Sequence, residues 1–272
     1  MKTGLNRKAS AFLGAAAVLL ATVFMAGCNT NAGSGGPGGG TTELTYNAGD
    51  IVLSDKSVVE MNAYKEIDPA NPPVGIICCY TGNSARMIAL HPSDSSLKWA
   101  KTGTTGYSTK FEAIVCTPST TIGQAALLAT FTGDADGSNN WEYIKSIDAE
   151  GTADAVVADN YPAFNWVSQY NTNYADKLNN KKFDWYMPSI AELCEVYKNR
   201  TAIDASLSKI HGLENGSGYA DDKLVNNKYW SSSQFSYYYY YYYYAWLVVF
   251  SDGYVDYSYK TSKYRVCCLA GF

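Results

Sequence analysis

Histidine is scarce in this chain, and its cysteines form no paired motif. The 272 residues include 2 histidines, and none of the 7 cysteines belongs to a CxxC pair. Structural zinc sites are built from Cys and His ligands at such short spacings. The sequence therefore argues against a zinc centre, and we expect no cofactor.

Positive charge is also in deficit and does not cluster. The chain has 21 Lys and Arg against 25 Asp and Glu, and three of the basic residues, Lys2, Arg7 and Lys8, lie in the first 27 positions. The rest of the chain therefore has a formal net charge of −7. Nucleic acids and anionic lipid headgroups are bound mainly by basic side chains. The composition argues against both and leaves proteins and sugars as the expected partners.

The apolar stretch near the N-terminus is too short and too rich in alanine for a permanent membrane span. It follows the three basic residues, runs from residue 11 to residue 25, and ends in Met25-Ala26-Gly27-Cys28. This layout is typical of a secretory signal peptide, and a Cys after two small residues resembles the lipobox of bacterial lipoproteins. We expect residues 1–27 to be removed and Cys28 to carry lipid, anchoring the protein to a bacterial membrane, at the outer membrane and cell surface. A plain secretory signal with an incidental Cys28 is the alternative.

Residues 28–42 are predicted to form a flexible Gly-rich tether, because their composition cannot bury apolar surface. No second Gly/Pro-rich break interrupts residues 43–272, which favours one domain. Within it, the patterns predict strands over residues 50–59 and 74–80 and helices over residues 121–131 and 188–199. Ser189 and Glu192 can cap the first turn of the second helix. The sequence therefore predicts an α+β fold.

Two features of this domain leave alternatives open. Asp134 and Asp136 lie in the polar segment Asp134-Ala135-Asp136-Gly137, which forms either an ordinary turn or a Ca²⁺ site, although its glycine comes early for a helix-loop-helix calcium loop. The six cysteines after Cys28 are either buried thiols, which we favour, or disulfides. For the adjacent pair Cys78-Cys79, alternation along a strand predicts that at most one side chain enters the core.

The C-terminal part carries a family resemblance in the order of its motifs. Phe183-Asp184-Trp185-Tyr186-Met187-Pro188-Ser189-Ile190-Ala191-Glu192-Leu193 resembles the W-x-[LM]-P-[ST]-x-x-E-L segment of bacterial surface domains with a C-type lectin fold, related to the formylglycine-generating enzymes. Tyr229-Trp230-Ser231-Ser232-Ser233, Ala245-Trp246, Phe250, Gly253 and Arg265-Val266 resemble the closing segment of that family. The resemblance covers roughly residues 160–272. It implies a C-type lectin fold of the formylglycine-generating enzyme-like subtype, with small sheets, two main helices and long loops.

Tyrosine is concentrated in the same region. Of the 24 tyrosines, 13 lie in the last 44 residues, and eight are consecutive, from Tyr237 to Tyr244. No packing rule for a strand or a helix requires this run, and a low-complexity, aggregation-prone stretch is one interpretation. The run is followed, however, by a patterned strand in which Trp246, Val248 and Phe250 share one face, and Asp252-Gly253 can turn the chain into a partner strand. We expect these three residues and Trp230 to be buried framework.

Residues 229–272 resemble the variable region of proteins diversified by diversity-generating retroelements. In that family an error-prone reverse transcriptase randomises the adenines of a template repeat, so asparagine codons can come to encode Tyr, Ser, Asp, Thr, Val, Leu or Phe, but never Trp, Lys, Glu, Gln or Met. Trp246, Lys260 and Lys263 cannot arise in this way and are expected to be framework. The resemblance implies candidate variable sites that all belong to the reachable set, and they are Tyr237, Tyr238, Tyr239, Tyr240, Tyr241, Tyr242, Tyr243, Tyr244, Leu247, Val249, Ser251, Asp252, Tyr254, Asp256, Tyr257, Ser258, Tyr259, Thr261, Ser262 and Tyr264.

The resemblance implies a surface protein that binds variable macromolecular ligands, with protein as the favoured class, and not an enzyme. Tyr offers a large amphipathic contact area at low conformational cost, and Ser and Asp add adaptable hydrogen bonds. Two alternatives remain. One is a formylglycine-generating-type enzyme, for which Cys267 and Cys268 are the only cysteines near the C-terminus, with no neighbouring His to activate them. The other is a structural surface protein without a specific ligand.

Strand alternation also predicts the geometry of the variable segment. Leu247, Val249 and Ser251 should point away from Trp246 and be displayed. A flat partner strand would place residues 257 and 259 on the face opposite to residues 254, 256 and 258. We therefore expect residues 257–264 to leave regular strand geometry, with the tyrosine run as a neighbouring loop, so that the candidate sites form one contiguous surface.

Overall fold

The computed structural model describes residues 46–119, 125–236 and 241–271, except for the side chain of Tyr241. The predicted signal peptide, Cys28 and the tether lie outside the described residues, and so do Tyr237–Tyr240. Everything described belongs to one compact unit, Leu44–Phe272.

Strands and helices are mixed along this unit. The strands are β1 (Ile51–Leu53), β2 (Val58–Val59), β3 (Pro73–Thr81), β4 (Ser84–Ala89), β5 (Leu97–Lys98), β6 (Val115–Pro118), β7 (Phe131–Gly133), β8 (Lys228–Phe235), β9 (Tyr244–Val249), β10 (Tyr254–Tyr259), β11 (Lys263–Tyr264) and β12 (Leu269–Gly271). The α-helices are α1 (Thr105–Ser108), α2 (Asn140–Ile147), α3 (Val157–Asn160), α4 (Pro162–Ser168), α5 (Tyr170–Asn173), α6 (Ile190–Lys198) and α7 (Arg200–His211). Short 3-10 helices occupy Glu112–Ile114, Gly137–Asn139, Gly216–Gly218 and Tyr241–Tyr243. The fold is α+β, as predicted.

The strands form two five-stranded sheets and one short pair. The first sheet has the order β12-β4-β3-β1-β2 and is antiparallel, so the last strand of the chain returns to the N-terminal sheet. The second sheet has the order β10-β9-β8-β6-β7, with β6 and β8 parallel and the other neighbours antiparallel. Strands β5 and β11 pair with each other. Strand β10 therefore lies at the edge of its sheet.

The core consists of two hydrophobic clusters, and strand β9 contributes to both. Trp246 and Val248 belong to one cluster, whereas Ala245 and Leu247 belong to the other. Alternate side chains of a strand point to opposite faces, so both faces of β9 are covered by apolar residues. This double burial determines which positions of the variable segment reach the surface.

Helix α6 begins where the sequence predicts, and its capping box is present. The Glu192 backbone N–H donates to Ser189 Oγ at 3.2 Å, and Glu192 Oε2 accepts from the Ser189 backbone N–H at 3.0 Å. The same carboxylate is buried and accepts from the Gly137 N–H at 2.8 Å, the Tyr186 hydroxyl at 2.7 Å and the Thr81 hydroxyl at 2.8 Å. A buried carboxylate needs such donors. Glu192 thus ties the helix to β3 and to the Gly137 turn.

The helix predicted over residues 121–131 is wrong for the part that the structure describes. Ala125 forms an antiparallel bridge with Tyr254, and the Ala126 N–H donates to the Gly253 carbonyl at 2.6 Å. A turn follows, and then β7. The apolar spacing is compatible with a helix, but the backbone at Ala125 and Ala126 is used to pair with β10. Leu127 and Leu128 are left exposed on this turn.

The Asp134–Gly137 segment is a hydrogen-bonded turn. Asp134 Oδ2 accepts from Asn140 Nδ2 at 2.6 Å, and Asp136 Oδ1 accepts from the Ser138 N–H at 2.9 Å, which caps the following 3-10 helix. Asp136 also pairs with Arg86 Nη2 at 3.3 Å. The described residues contain no group of three or more His, Cys, Asp or Glu side chains that could hold a metal ion.

The six cysteines after Cys28 are free thiols, and all of them are buried. Our expectation that at most one of Cys78 and Cys79 enters the core is wrong. The pairing of β3 with β4 shifts register between Ile77 and Cys79, and both thiols are buried with their Sγ atoms 3.6 Å apart. A bulge disturbs strict strand alternation, which lets adjacent side chains enter the same cluster.

Candidate functional site

Strands β9 and β10 form a hairpin that carries most of the described candidate sites. Its register runs from Tyr254 opposite Val249 to Tyr259 opposite Tyr244. The predicted turn at Asp252-Gly253 is present, with Gly253 at φ +76° and its N–H donating to the Val249 carbonyl at 2.7 Å. A side chain at Gly253 would also collide with the Tyr197 ring, whose Cε1 lies 2.3 Å from an ideal Cβ position. Glycine is therefore required there by conformation and by space.

The prediction that residues 257–264 leave regular strand geometry is wrong for residues 257–259 and 263–264, and it holds only for the turn between them. Strand β10 pairs with β9 without interruption to Tyr259, and β11 begins at Lys263 after a tight turn in which the Ser262 N–H donates to the Tyr259 carbonyl at 2.8 Å. The strand stays regular because side chains on both of its faces find packing partners.

One face of the hairpin is an aromatic cluster. The Tyr257 ring stacks on Phe235 with centroids 3.9 Å apart, and its edge meets Trp246 at 6.0 Å. Tyr244 lies 5.5 Å from Tyr257 and 4.3 Å from Tyr259, between centroids. Tyr259 is 49% exposed, whereas Tyr257 and Tyr244 are half-buried. The outer ring of the cluster is available for contact, and the inner rings support it.

The opposite face is polar, and Tyr264 of β11 contacts it. Ser258 Oγ lies 3.0 Å from Ser262 Oγ and 3.1 Å from the Tyr264 hydroxyl. Lys228 Nζ lies 3.6 Å from Asp256 Oδ2 and 5.4 Å from the centre of the Tyr264 ring. These side chains are partly exposed. They form a surface that offers hydrogen-bond donors and acceptors beside one aromatic ring.

The described candidate sites therefore lie on opposite faces of the hairpin, and the expectation that they form one contiguous surface is wrong. Both faces border the same edge strand, β10, so the exposed side chains wrap around one edge of the sheet. The expected display of Leu247 is wrong, because this residue is 0% exposed and packs in the second core cluster. Val249, on the same face, is half-buried, and Ser251 and Asp252 in the turn are exposed.

Framework residues between the candidate sites are buried, as predicted. Trp230, Trp246, Val248 and Phe250 are 0% exposed. The indole N–H groups of Trp246 and Trp230 donate to the Cys116 carbonyl at 2.8 Å and to the Leu97 carbonyl at 2.9 Å. Of the two lysines outside the reachable set, Lys260 is wholly buried and Lys263 is exposed.

The described end of the tyrosine run is partly ordered against the rest of the molecule. Tyr241–Tyr243 form a 3-10 helix, and Tyr244 already belongs to β9. The Tyr243 ring lies 4.9 Å from Tyr107 and 4.4 Å from Tyr242. Tyr242, Tyr243 and Tyr244 are half-buried. Our expectation of a loop is wrong for the described part of the run, because Tyr241–Tyr243 form a 3-10 helix and Tyr244 pairs in the sheet. The rest of the run lies outside the described residues.

Three residues at this site were missed in the sequence. Lys228 and Tyr107 contact candidate sites, and Gln234 binds the backbone of Tyr242. Tyr107 lies more than 100 positions away in the sequence, and no local pattern marks it. The one signal for Gln234 in the sequence is its polar side chain next to Phe235, at the end of β8.

Cys267 and Cys268, the cysteines considered for the alternative enzyme, are both buried. Burial raises the pKa of the Cys267 thiol to about 12, and that of Cys268 well above its usual range. A nucleophilic cysteine needs a lowered pKa. Of the adjacent carboxylates Asp221 and Asp222, the first pairs with His91 Nδ1 at 3.0 Å and the second is exposed.

In the part of the chain that the structure covers, no helix is both long enough and apolar enough to span a bilayer. The chain matches no family model, no curated protein and no solved structure.

Proposed function

We propose that this chain is a lipid-anchored bacterial surface protein with a C-type lectin fold, and that it binds variable protein ligands through the β10 edge. The observation that carries the proposal is the exposure of the candidate sites. Among those with described side chains, Leu247 is the one buried position. Of the three unreachable residues of the segment, Trp246 and Lys260 are wholly buried and Lys263 is exposed. A retroelement that randomises the candidate codons would alter mainly surface side chains.

The chemistry of the two faces supports binding to a protein surface. The aromatic face presents Tyr259, backed by the rings of Tyr244 and Tyr257. The polar face presents Asp256, Ser258 and neighbouring hydroxyl groups. Large, partly immobilised tyrosines next to adaptable hydrogen-bonding groups are the composition of antibody paratopes. A few aromatic side chains usually supply most of the binding free energy of such interfaces.

The proposed fold is supported by the motif residues. Glu192 saturates its carboxylate with donors from three separate segments, and Trp230 and Trp246 fill opposite core clusters behind the hairpin. The polar and aromatic residues of the motifs therefore act as scaffold, which leaves the β10 edge for recognition.

Binding to an array of bacterial and host surface proteins tests the proposal. We expect the purified protein to bind at least one member, and the double variant Tyr254→Ser/Tyr259→Ser to lose about tenfold or more in affinity, because two exposed rings are removed. The matched control is Tyr80→Ser/Tyr143→Ser, which removes two tyrosines outside the region. Equal losses for both variants, or no binding to any member, would contradict the proposed function.

A further inference from the structure

Lys260 is buried in the middle of the variable segment, between Tyr259 and Thr261. Its side chain is 0% exposed, and its ammonium group donates to the Gly106 carbonyl at 2.8 Å and to the Thr109 carbonyl at 3.4 Å. The same group lies 4.5 Å from the centre of the Trp99 ring and 5.1 Å from that of Phe111. No carboxylate of the described residues lies within 4.0 Å of it. The lysine is thus held by main-chain carbonyls and aromatic faces.

Gln234 is a second buried polar side chain that reaches the same place from the end of β8. It is 0% exposed. Its Oε1 accepts from the Phe111 N–H at 2.7 Å, and its Nε2 donates to the Thr109 carbonyl at 3.0 Å and to the Tyr242 carbonyl at 2.5 Å. Lys260 and Gln234 therefore share the Thr109 carbonyl as an acceptor.

The main chain of Lys260 completes this arrangement. Its N–H donates to the Tyr243 carbonyl at 2.9 Å, and its carbonyl accepts from the N–H groups of Trp99 at 2.9 Å and Ala100 at 3.0 Å. The last turn of the tyrosine run and the turn after β10 are thereby attached to the 99–111 segment. The hydrogen bonds that Gln234 and Lys260 donate to Tyr242 and Tyr243 all end on carbonyl oxygens.

Main-chain bonds of this kind do not depend on the side chain that a candidate site carries. A buried ammonium without a carboxylate partner is unfavourable unless its donors are satisfied. Here the main-chain carbonyls satisfy those donors, and the ammonium in turn holds the backbone that carries them. Neither Lys nor Gln can arise from a randomised asparagine codon. Mutagenesis of the candidate sites therefore cannot introduce a second Lys or Gln that would compete for the same carbonyl acceptors.

We propose that Lys260 and Gln234 are positioning residues that keep the backbone of residues 241–264 in one conformation whatever side chains occupy the candidate sites. The proposal rests on the proposed function, because it explains how a binding edge can vary in sequence without losing its shape. We call the pair, with its carbonyl acceptors at Gly106, Thr109 and Tyr242, the polar lock.

Hydrogen exchange measured by mass spectrometry tests the polar lock without any ligand. A triple variant of neighbouring candidate sites, Tyr242→Ser/Tyr243→Ser/Tyr259→Ser, is compared in the wild-type background and in a Lys260→Met background. In the wild-type background we expect amide exchange in residues 241–264 to stay within about twofold of the unmodified protein. In the Lys260→Met background we expect the same triple change to accelerate exchange in that segment by about tenfold more.

The effect of the triple change on amide exchange is compared between the two backgrounds, and a difference between them separates a positioning role from a purely structural one. A residue that only adds stability would give additive effects, as we expect for the control Ile203→Ala in α7, whose buried apolar side chain makes none of the hydrogen bonds of the polar lock. If Lys260→Met fails to fold, Gln234→Glu keeps the acceptor for the Phe111 N–H and removes both donors to carbonyls. The proposal is overturned if the triple change accelerates exchange equally in both backgrounds. Loss of array binding with an intact coupling would refute the proposed function and leave the lock in place.

Discussion

Phe235 and Tyr257 stack face to face, with ring centroids 3.9 Å apart and planes inclined by 8°. Phe235 is a buried residue at the end of β8, whereas Tyr257 is a half-buried candidate variable site on β10. A framework ring therefore supports a ring that the retroelement hypothesis allows to change. Candidate sites consequently differ in how much they contribute to stability.

We expect this difference to appear in single substitutions. Tyr257→Ser removes the stacked ring and should lower the free energy of unfolding by about 1–2 kcal/mol. Tyr254→Ser, at a position that is 46% exposed, should change it by less than about 0.5 kcal/mol. Urea denaturation of both variants measures the difference, and equal effects would show that the stacking on Phe235 contributes nothing.

Framework tryptophan should be far more sensitive than any exposed tyrosine. Trp246 is 0% exposed, contacts the rings of Phe131 and Phe235, and donates its indole N–H to the Cys116 carbonyl. We expect Trp246→Ala to destabilise the protein by about 3–5 kcal/mol, through lost apolar contact and the cavity left behind. Tyr259→Ser is the matched control on the same face of the hairpin. Thermal unfolding that shows equal losses would refute the division between framework and displayed residues.

The sequence predicted those parts of the fold that depend on local chemistry. The capping box at Ser189 and Glu192, the turn at Gly253 and the shared face of Trp246, Val248 and Phe250 are all present. Each depends on residues within a few positions of one another, where hydrogen bonding, positive φ and strand alternation act directly.

The wrong predictions concern contacts between distant segments. Leu247 is buried because a second cluster covers the other face of β9, and the sequence around it does not reveal that cluster. Ala125 pairs with the edge of β10 and so cannot continue the helix that its apolar spacing suggests. Lys260 was identified as framework from codon reach alone, while its burial depends on carbonyls some 150 positions earlier in the chain.

Lys260 should make stability depend on alkaline pH. Burial lowers the pKa of its ammonium group well below the ordinary value of 10.5. Between the folded and the unfolded pKa the unfolded chain binds more protons, so the free energy of unfolding rises with pH in that window. The stabilisation is complete above the unfolded value and is lost as the pH falls through the folded one.

Replacing Lys260 should remove this slope. We expect the difference in unfolding free energy, wild type minus Lys260→Met, to increase as the pH is raised from neutrality towards 10.5. Lys263→Met, which removes an exposed lysine of the same segment, is the control for the loss of one positive charge, and tyrosine titration cancels because all three proteins share it. A flat difference for Lys260→Met would show that the Lys260 amine titrates normally.

The N-terminal prediction rests on Met25-Ala26-Gly27-Cys28 and is tested in cells. The mature protein should begin at a lipidated Cys28 and partition into the detergent phase. Cys28→Ala should release the protein into the aqueous phase, because the acylated thiol is lost. Cys267→Ala, which changes a buried cysteine far along the chain, serves as the control for cysteine loss in general. Unchanged membrane association of Cys28→Ala would refute the lipid anchor.

Sequence variation at this locus should follow exposure as well as codon reach. If a retroelement diversifies the segment, a nearly identical template repeat beside a reverse transcriptase should carry asparagine codons opposite the candidate sites. Among expressed variants, Tyr254 and Tyr259 should change freely, because they are 46% and 49% exposed.

Leu247 provides the contrast, since its codon is reachable but its side chain is wholly buried in the second core cluster. A polar residue there would bury an unpaired group or leave a cavity, at a cost of about 2–5 kcal/mol. Selection for folded protein should therefore keep position 247 apolar even where the template permits Asp or Ser. Amplicon sequencing of the segment across many isolates measures this directly. Polar residues at position 247 as frequent as at position 254 would contradict the structure of the hairpin, and a population without variation at any candidate site would contradict the retroelement hypothesis itself.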